Sequence, residues 1–237
     1  MKIAVIYATQ RKEKSSTYNL AQQFIGELSE GEPVTEFFLP KSMPNFCRGC
    51  WNCFTDYTKC PDYSYLEPII AAMLEADLLI FTAPVYVYHV PGQMKAFLDH
   101  FGYQWMVHQP RKEMFRKQAL LISTAAGAGT KSALKDLKDS MRFWGLARTY
   151  TFGKNVYTAD WDMVSPKKEA ELQKGVRRLS RKIKAAGKDV TPSIQTKCLF
   201  YVMRLMHKKF KFVPADASYW EKSGWLGKER PWKATKE

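Results

Sequence analysis

The sequence predicts an α/β protein built on a doubly wound, five-stranded parallel sheet in the strand order 2-1-3-4-5. Three observations predict it. Short β-branched apolar runs recur along the chain, each bounded by turn residues. Helical patterns of roughly 10 to 20 residues separate these runs, which is the signature of crossover units. A polar turn follows the first run, as it does where a ligand meets the first strand of such a sheet.

Residues 2–8 (KIAVIYA) form the first strand, a continuous apolar run suited to burial on both faces. The polar turn 9–16 follows. The next helix shows Leu20, Phe24, Ile25 and Leu28 on one face, with Ser15, Ser16 or Thr17 as its cap. Gly31, Glu32 and Pro33 close it before a second strand at 34–39. Residues 40–63 read as a long loop that carries four of the five cysteines. A helix at 64–75 and a strand at 77–82 come next. Pro91 and Gly92 then open a helix over 92–106. Residues 118–124 (QALLIST) supply the fourth strand, and the glycines at 127 and 129 precede a helix through Trp144. A weaker fifth strand spans 148–158, and a strongly basic helix spans 166–186. A linker at 187–196 leads out of the sheet. The expected organisation is one domain over 1–187 and an aromatic, basic, helical extension over 188–237.

Ligands of open parallel sheets bind outside the carboxyl ends of the strands, and three turns fall there. The first runs from Thr9 to Thr17. It offers hydroxyls, the Arg11 guanidinium and the amides of a helix N-terminus, a donor set for a phosphate monoester. Neither a dinucleotide glycine fingerprint nor a P-loop is present. Taken alone, this turn is equally a solvated turn with a serine cap. The second turn, Pro84, Val85, Tyr86, Val87, Tyr88 and His89, is too aromatic for a connector and suits a flat heterocycle. Strand-end packing competes with that reading, yet two tyrosines and a histidine within four residues cannot all point inward. The third turn, Ser123, Thr124, Ala125, Ala126, Gly127, Ala128 and Gly129, is small enough for a planar ligand to approach the backbone. Alone it is a plain glycine loop. The shared position of all three turns carries the reading.

Thr9-Gln10-Arg11 with Ser16-Thr17, followed by TAPVYVYHVPGQMKAFLDH, resembles the NAD(P)H-dependent FMN reductases and related flavodoxin-like quinone reductases over roughly residues 1–160. The resemblance implies a flavodoxin-like fold, FMN as cofactor, NAD(P)H as co-substrate, and a quinone, a flavin or another small molecule as electron acceptor. It further implies that Thr9, Arg11, Ser16 and Thr17 hold the FMN phosphate. Pro84, Val85, Tyr86, Val87 and Tyr88 would then flank the ring, with Ser123, Thr124, Ala125 and Gly127 near its pyrimidine end. Thr9-Gln10 stands where Ser-Pro is common in the family, and Ala8 where a glycine is usual. No general acid or base is assigned, because the flavin supplies the chemistry and hydride transfer needs none.

No apolar run approaches the ~20 residues of a spanning helix. Residues 3–7 fall short of a signal-peptide apolar region, so the chain reads as cytoplasmic, where thiols stay reduced. Cys47, Cys50, Cys53 and Cys60, the last followed by Pro61, are spaced like the ligands of a [4Fe–4S] cluster. The spacing also resembles the compact motif of the iron–sulfur flavoproteins, relatives of the same fold. Zinc is served by the same four sulfurs. Plain FMN reductases resemble this chain as well, carrying a Cys-x-Gly-Cys loop of reduced thiols, which Cys47-Arg48-Gly49-Cys50 matches. Cluster, zinc and free thiols all stay open at this point. Cys198, alone in an apolar stretch, is expected to be a buried core thiol. His89, His100, His108 and His207 show no metal-ligand spacing.

Net charge is +14, and residues 165–237 hold 19 Lys and Arg against seven Asp and Glu. Twelve of the fourteen net charges therefore lie in the last third, which fits anionic partners and says nothing about fold. Residues 196–213 alternate apolar clusters with Arg204, His207, Lys208, Lys209 and Lys211, a basic amphipathic helix. Such a helix packs on the sheet domain or on a second subunit, or lies on an anionic membrane surface. Trp220, Trp225 and Trp232 add anchors of the kind found at interfaces. A homodimer or higher homo-oligomer whose arm helps cover the flavin is the expectation. Nucleic acid ranks last as a partner, since no binding motif accompanies the basic and aromatic residues. A basic interaction protein with a vestigial site is the remaining alternative class.

Overall fold

The computed structural model describes residues 1–210 and 213–233. Five parallel strands form one sheet in the order β2-β1-β3-β4-β5. They are β1 (Ile3–Tyr7), β2 (Val34–Phe38), β3 (Leu78–Thr82), β4 (Gln118–Ala125) and β5 (Arg148–Asn155). In-register pairs such as Ile6↔Phe37, Ile6↔Phe81 and Phe81↔Leu121 align the strand tips at one edge.

The two-residue period of the strands divides the core into two layers. Ile3, Val5 and Tyr7 face α1 (Ser16–Leu28) and α6 (Pro166–Ala186), where Leu20, Phe24, Val176 and Ile183 meet them. Ala4, Ile6 and Phe81 face α3 (Tyr63–Glu75), α4 (Gly92–Asp99) and α5 (Thr130–Phe143) through Ile69, Phe97 and Leu137. Strands β1, β3 and β4 are buried throughout, as central parallel strands must be.

Four local readings are corrected. The helix opened by Gly92 stops at Asp99, not at 106. The His100 ring nitrogen Nδ1 lies 2.8 Å from the Ala96 carbonyl, the acceptor its own backbone N–H would need, and the chain tightens into a 3-10 turn at Gly102–Gln104. Residues 40–63 are not one loop: they hold a short helix, α2 (Asn52–Thr55), and a turn at Tyr57–Lys59. The linker is shorter than expected, because Ser193 accepts the Thr196 N–H and starts α7 (Ile194–Lys209). Cys198 is exposed on that helix rather than buried. Lys211 lies outside the described residues.

The extension folds back as α7 and α8 (Pro214–Lys222). Leu199, Phe200, Trp220 and Trp225 enclose Met106 and Phe115 in a third apolar cluster. Arg204 fastens α7 by donating to the Trp225, Leu226 and Gly227 carbonyls, each at 2.9 Å. Asp216, fully buried, takes His108 Nδ1 at 2.7 Å and Gln109 Nε2 at 3.1 Å. The same Gln109 amide donates to the Phe54 carbonyl at 2.7 Å, and the Phe54 ring packs edge-on against His108. α8 is thereby tied to the cysteine segment through the loop after α4.

Candidate functional site

The carboxyl edge of the sheet opens into a cleft of about 170 Å³ lined by four strand tips. The tip of β1 contributes Thr9, Arg11, Ser15 and Ser16, and that of β3 contributes Pro84, Val85 and Tyr86. Thr124, Ala125 and Ala126 follow from β4, with Val156, Thr158 and Ala159 beyond β5. Local sequence explains each wall. Ser15 caps α1, its hydroxyl receiving the Tyr18 N–H at 3.5 Å, which leaves the first-turn amides of α1 aimed at the cleft without intrahelical partners. Thr9 accepts the Arg11 N–H at 3.2 Å and so bends the turn. The Arg11 guanidinium reaches across to the Ala159 carbonyl at 3.0 Å and to the Asp160 carboxylate.

The aromatic loop is a tight hairpin turn. Tyr86 and His89 exchange both backbone hydrogen bonds at 3.0 Å, and Val87 and Tyr88 between them have φ of 47° and 67°. A β-branched residue in that region is strained. Asp136 of α5 pins the loop, accepting the Val90 N–H at 3.3 Å and facing His89 Nδ1 at 3.0 Å. Gly129 (φ 99°) makes the opposite wall possible, since a Cβ there would meet Val85 Cγ1 at 2.6 Å and Tyr88 Cα at 3.2 Å. The second and third turns are thus in direct contact.

Thr9, Arg11, Ser16, Pro84, Val85, Tyr86, Thr124 and Ala125 therefore share one cleft. The other sequence-predicted positions do not line it. Thr17 is buried, its hydroxyl 2.9 Å from that of Ser15. Val87 (94% exposed) and Tyr88 project from the loop into solvent. Ser123 is buried beneath the strand tip with its hydroxyl unpartnered among the described residues. Gly127 uses its carbonyl to receive the Asn155 side chain. Ser15 and Ala126, which the sequence places in the first and third turns without a contact of their own, line the cleft as well, and sequence reasoning missed the wall from Val156 to Asp160. The rule that singled out the other tips applies to β5 as well, and its weak apolar pattern concealed the fourth tip. None of the described residues of the extension lines the cleft.

A second site lies in the segment after β2. Cys47, Cys50, Cys53 and Cys60 all line one cavity of about 190 Å³, and none is in a disulfide. Left-handed backbone at Gly49 and Trp51 (φ 63° each) curls the chain so that cysteines spaced three residues apart line one cavity. Burial, and then the neighbouring thiols Cys60, Cys47 and Cys50, push the Cys53 thiol up to about 11. Burial likewise raises Cys60. Beneath them Asp62 accepts from Asn45 Nδ2 at 2.6 Å and faces His100 Nε2 at 3.2 Å, both Asp62 and His100 being buried. Cys60, Asp62 and His100 present ligand atoms within 4.8 Å of one another, and among the described residues no three of the four sulfurs do. His100 was assigned no role by spacing; only the fold brings it to Cys60.

Comparison with known proteins places this geometry. Residues 1–163 match the family of NADPH-dependent FMN reductases. The chain is similar to an iron–sulfur flavoprotein of Archaeoglobus fulgidus, with 22% identity over 95% of this chain and 100% of that protein. It is also similar to an FMN-dependent NAD(P)H:quinone oxidoreductase of Pseudomonas aeruginosa, 23% identical over 54% of this chain and 70% of the other. Among solved structures, an FMN-dependent NADH-azoreductase of Bacillus anthracis in complex with FMN superposes with a TM-score of 0.59. It is 14% identical and covers 77% of this chain and 99% of its own, a likeness of fold.

Proposed function

The chain belongs to the NADPH-dependent FMN reductase family, and from that premise we propose that it is an FMN-dependent NAD(P)H oxidoreductase whose electrons go to a small acceptor of the quinone or flavin class. One observation carries the reading: four parallel strand tips and a helix N-terminus converge on one cleft that holds a guanidinium, hydroxyls and small residues. That donor set fits FMN. Thr9, Arg11, Ser15 and Ser16 would bind the phosphate, Arg11 exchanging Asp160 for it, and the α1 amides would complete the cradle. Pro84, Val85 and Tyr86 would orient the ring, with Thr124, Ala125 and Ala126 close against its other side. Val87 and Tyr88 stand at the rim, where a nicotinamide or an acceptor approaches. When bound, FMN accepts hydride and passes on electrons singly or in pairs.

The test is FMN and riboflavin titration of the wild type and of Arg11→Gln, with NADH and NADPH oxidation followed on the loaded protein. Arg11→Gln is expected to weaken FMN at least tenfold and riboflavin hardly at all, since a charge-assisted phosphate contact is worth about 1.5–3 kcal/mol. FMN that fails to bind at any concentration, or equal losses for both ligands, would sink the proposal.

The cysteine cavity supports a second reading, that the same protein carries an iron–sulfur cluster. Cys53 and Cys60, thiols pushed up first by burial and then by their neighbours, belong to a donor set that a cationic centre stabilises. Among the described residues no three of the four sulfurs lie within 4.8 Å of one another, whereas a tetrahedral zinc at 2.3 Å bonds holds all of its sulfurs about 3.8 Å apart. Cys47, Cys50, Cys53 and Cys60 would be the cluster's ligands. Iron and labile sulfide in anaerobically purified protein, lost in Cys50→Ser, test it.

A further inference from the structure

The end of the sheet remote from the cleft carries a feature that the proposed reaction does not use. A cavity of about 290 Å³ opens between α5, the start of β5, α6 and the first turn of α7. Lys138, Arg142, Arg148 and Lys182 line it, and no carboxylate does. Among the described residues none of these four cations is in an ion pair. Arg148 Nε donates to the Thr191 carbonyl at 3.3 Å, and the Lys182 ammonium lies 5.9 Å over the Tyr150 ring.

α7 begins at this cavity and is apolar on both sides. Leu199, Phe200, Met203 and His207 face inward to the tryptophans. At 100° per residue, Ile194, Cys198, Tyr201, Val202 and Leu205 fall within an arc of roughly 100° on the opposite side. All five are exposed, Ile194 at 80%. Lys197 and Lys208 flank the stripe, Lys209 ends it, and α7 contains no acidic residue.

We propose that this face docks on a bilayer surface rich in anionic phospholipid. The aliphatic stripe enters the headgroup boundary, and the cationic cavity at its end takes phosphate headgroups. A second copy of the chain is the poorer occupant. An isologous contact would set this acid-free helix and its lysines against themselves. Nucleic acid matches the charge but has no use for Ile194, Val202 and Leu205, which offer no stacking surface. No helix among the described residues is long and apolar enough to cross the membrane, so docking would be peripheral.

The full chain is co-sedimented with vesicles of phosphatidylcholine alone or with about 30% phosphatidylglycerol, at physiological salt. Partition onto anionic vesicles is expected to exceed that onto neutral ones at least tenfold. Val202→Glu with Leu205→Glu, both at exposed positions, should cut it tenfold or more with the melting temperature unchanged. Arg142→Gln with Arg148→Gln should cut it roughly 25-fold, at about 1 kcal/mol per basic residue near the surface. Equal partition onto both vesicles, or full binding by the stripe variant, overturns the proposal. So does displacement from vesicles by single-stranded RNA that binds wild type and stripe variant alike. Self-association that the stripe variant abolishes, without vesicle binding, overturns it in favour of a dimer.

Discussion

The cleft and the cysteine cavity sit at the same edge of one sheet and are held in opposite ways. The cleft is built from strand tips, so its walls inherit their positions from the ladder: Val85 N–H to the Thr124 carbonyl and Val156 N–H to the Ala125 carbonyl, both at 2.9 Å. The cysteine cavity is built from the segment after an edge strand, and much of its support comes from outside the sheet. Gln109 grips Phe54, and Asp216 grips Gln109. A site on strand ends is positioned by the fold; a site on a connection depends on whatever packs against it.

That contrast breaks or sharpens under mutation. The largest effect is expected from Trp220→Ala, which empties the centre of the third apolar cluster and should lower stability by about 3–5 kcal/mol. Urea unfolding measures the loss. In protein still folded, alkylation of Cys53 should accelerate while FMN affinity moves less than about threefold. Comparable changes at both sites would show that the extension supports the cleft too. Gly129→Ala is the converse test. The new Cβ would strike Val85 and Tyr88 from a left-handed backbone position, at a cost of about 1–3 kcal/mol. FMN affinity should drop around tenfold by titration, with cysteine reactivity unchanged. The smallest effect is a pH dependence of the metal-free protein. The Cys53 thiol is raised in the folded state from an ordinary value near 9 to about 11. Between these values the unfolded chain loses the proton and the folded one keeps it. The stability contributed by the neutral thiol is therefore complete below pH 9 and lost as pH rises toward 11. Melting temperature should fall more steeply across that window in the wild type than in Cys53→Ser.

The sheet was legible in the sequence because buried parallel strands write themselves as uninterrupted apolar runs. Residues 2–8 and 118–124 differ from the observed strands by one residue or so at either end. Pro84, Val85 and Tyr86 were legible for the same reason, as a loop's place at a strand tip follows once the strand is known. Thr17 and Ser123 were misplaced because a tip has an inside as well as a rim, and a hydroxyl's facing depends on side-chain packing that periodicity does not encode. Val87 and Tyr88 point outward because of a turn type that their residue types disfavour. His100 and Asp62 were invisible, since 38 positions separate them and only the seating of α4 against the cysteine segment joins them. The outward facing of Cys198 was hidden because α7 is apolar on two opposite sides, so hydrophobicity alone could not choose between them.

The Asp216 linkage has a practical consequence. Trimming the chain to the 163 residues that match its family would remove α6 from one face of the sheet, and the loss of α7 and α8 would strip Met106 and Phe115 of their cover. The shortened protein would display a greasy scar next to four free thiols. It would be expected to precipitate or cross-link in air, and a failure of that kind says nothing about catalysis.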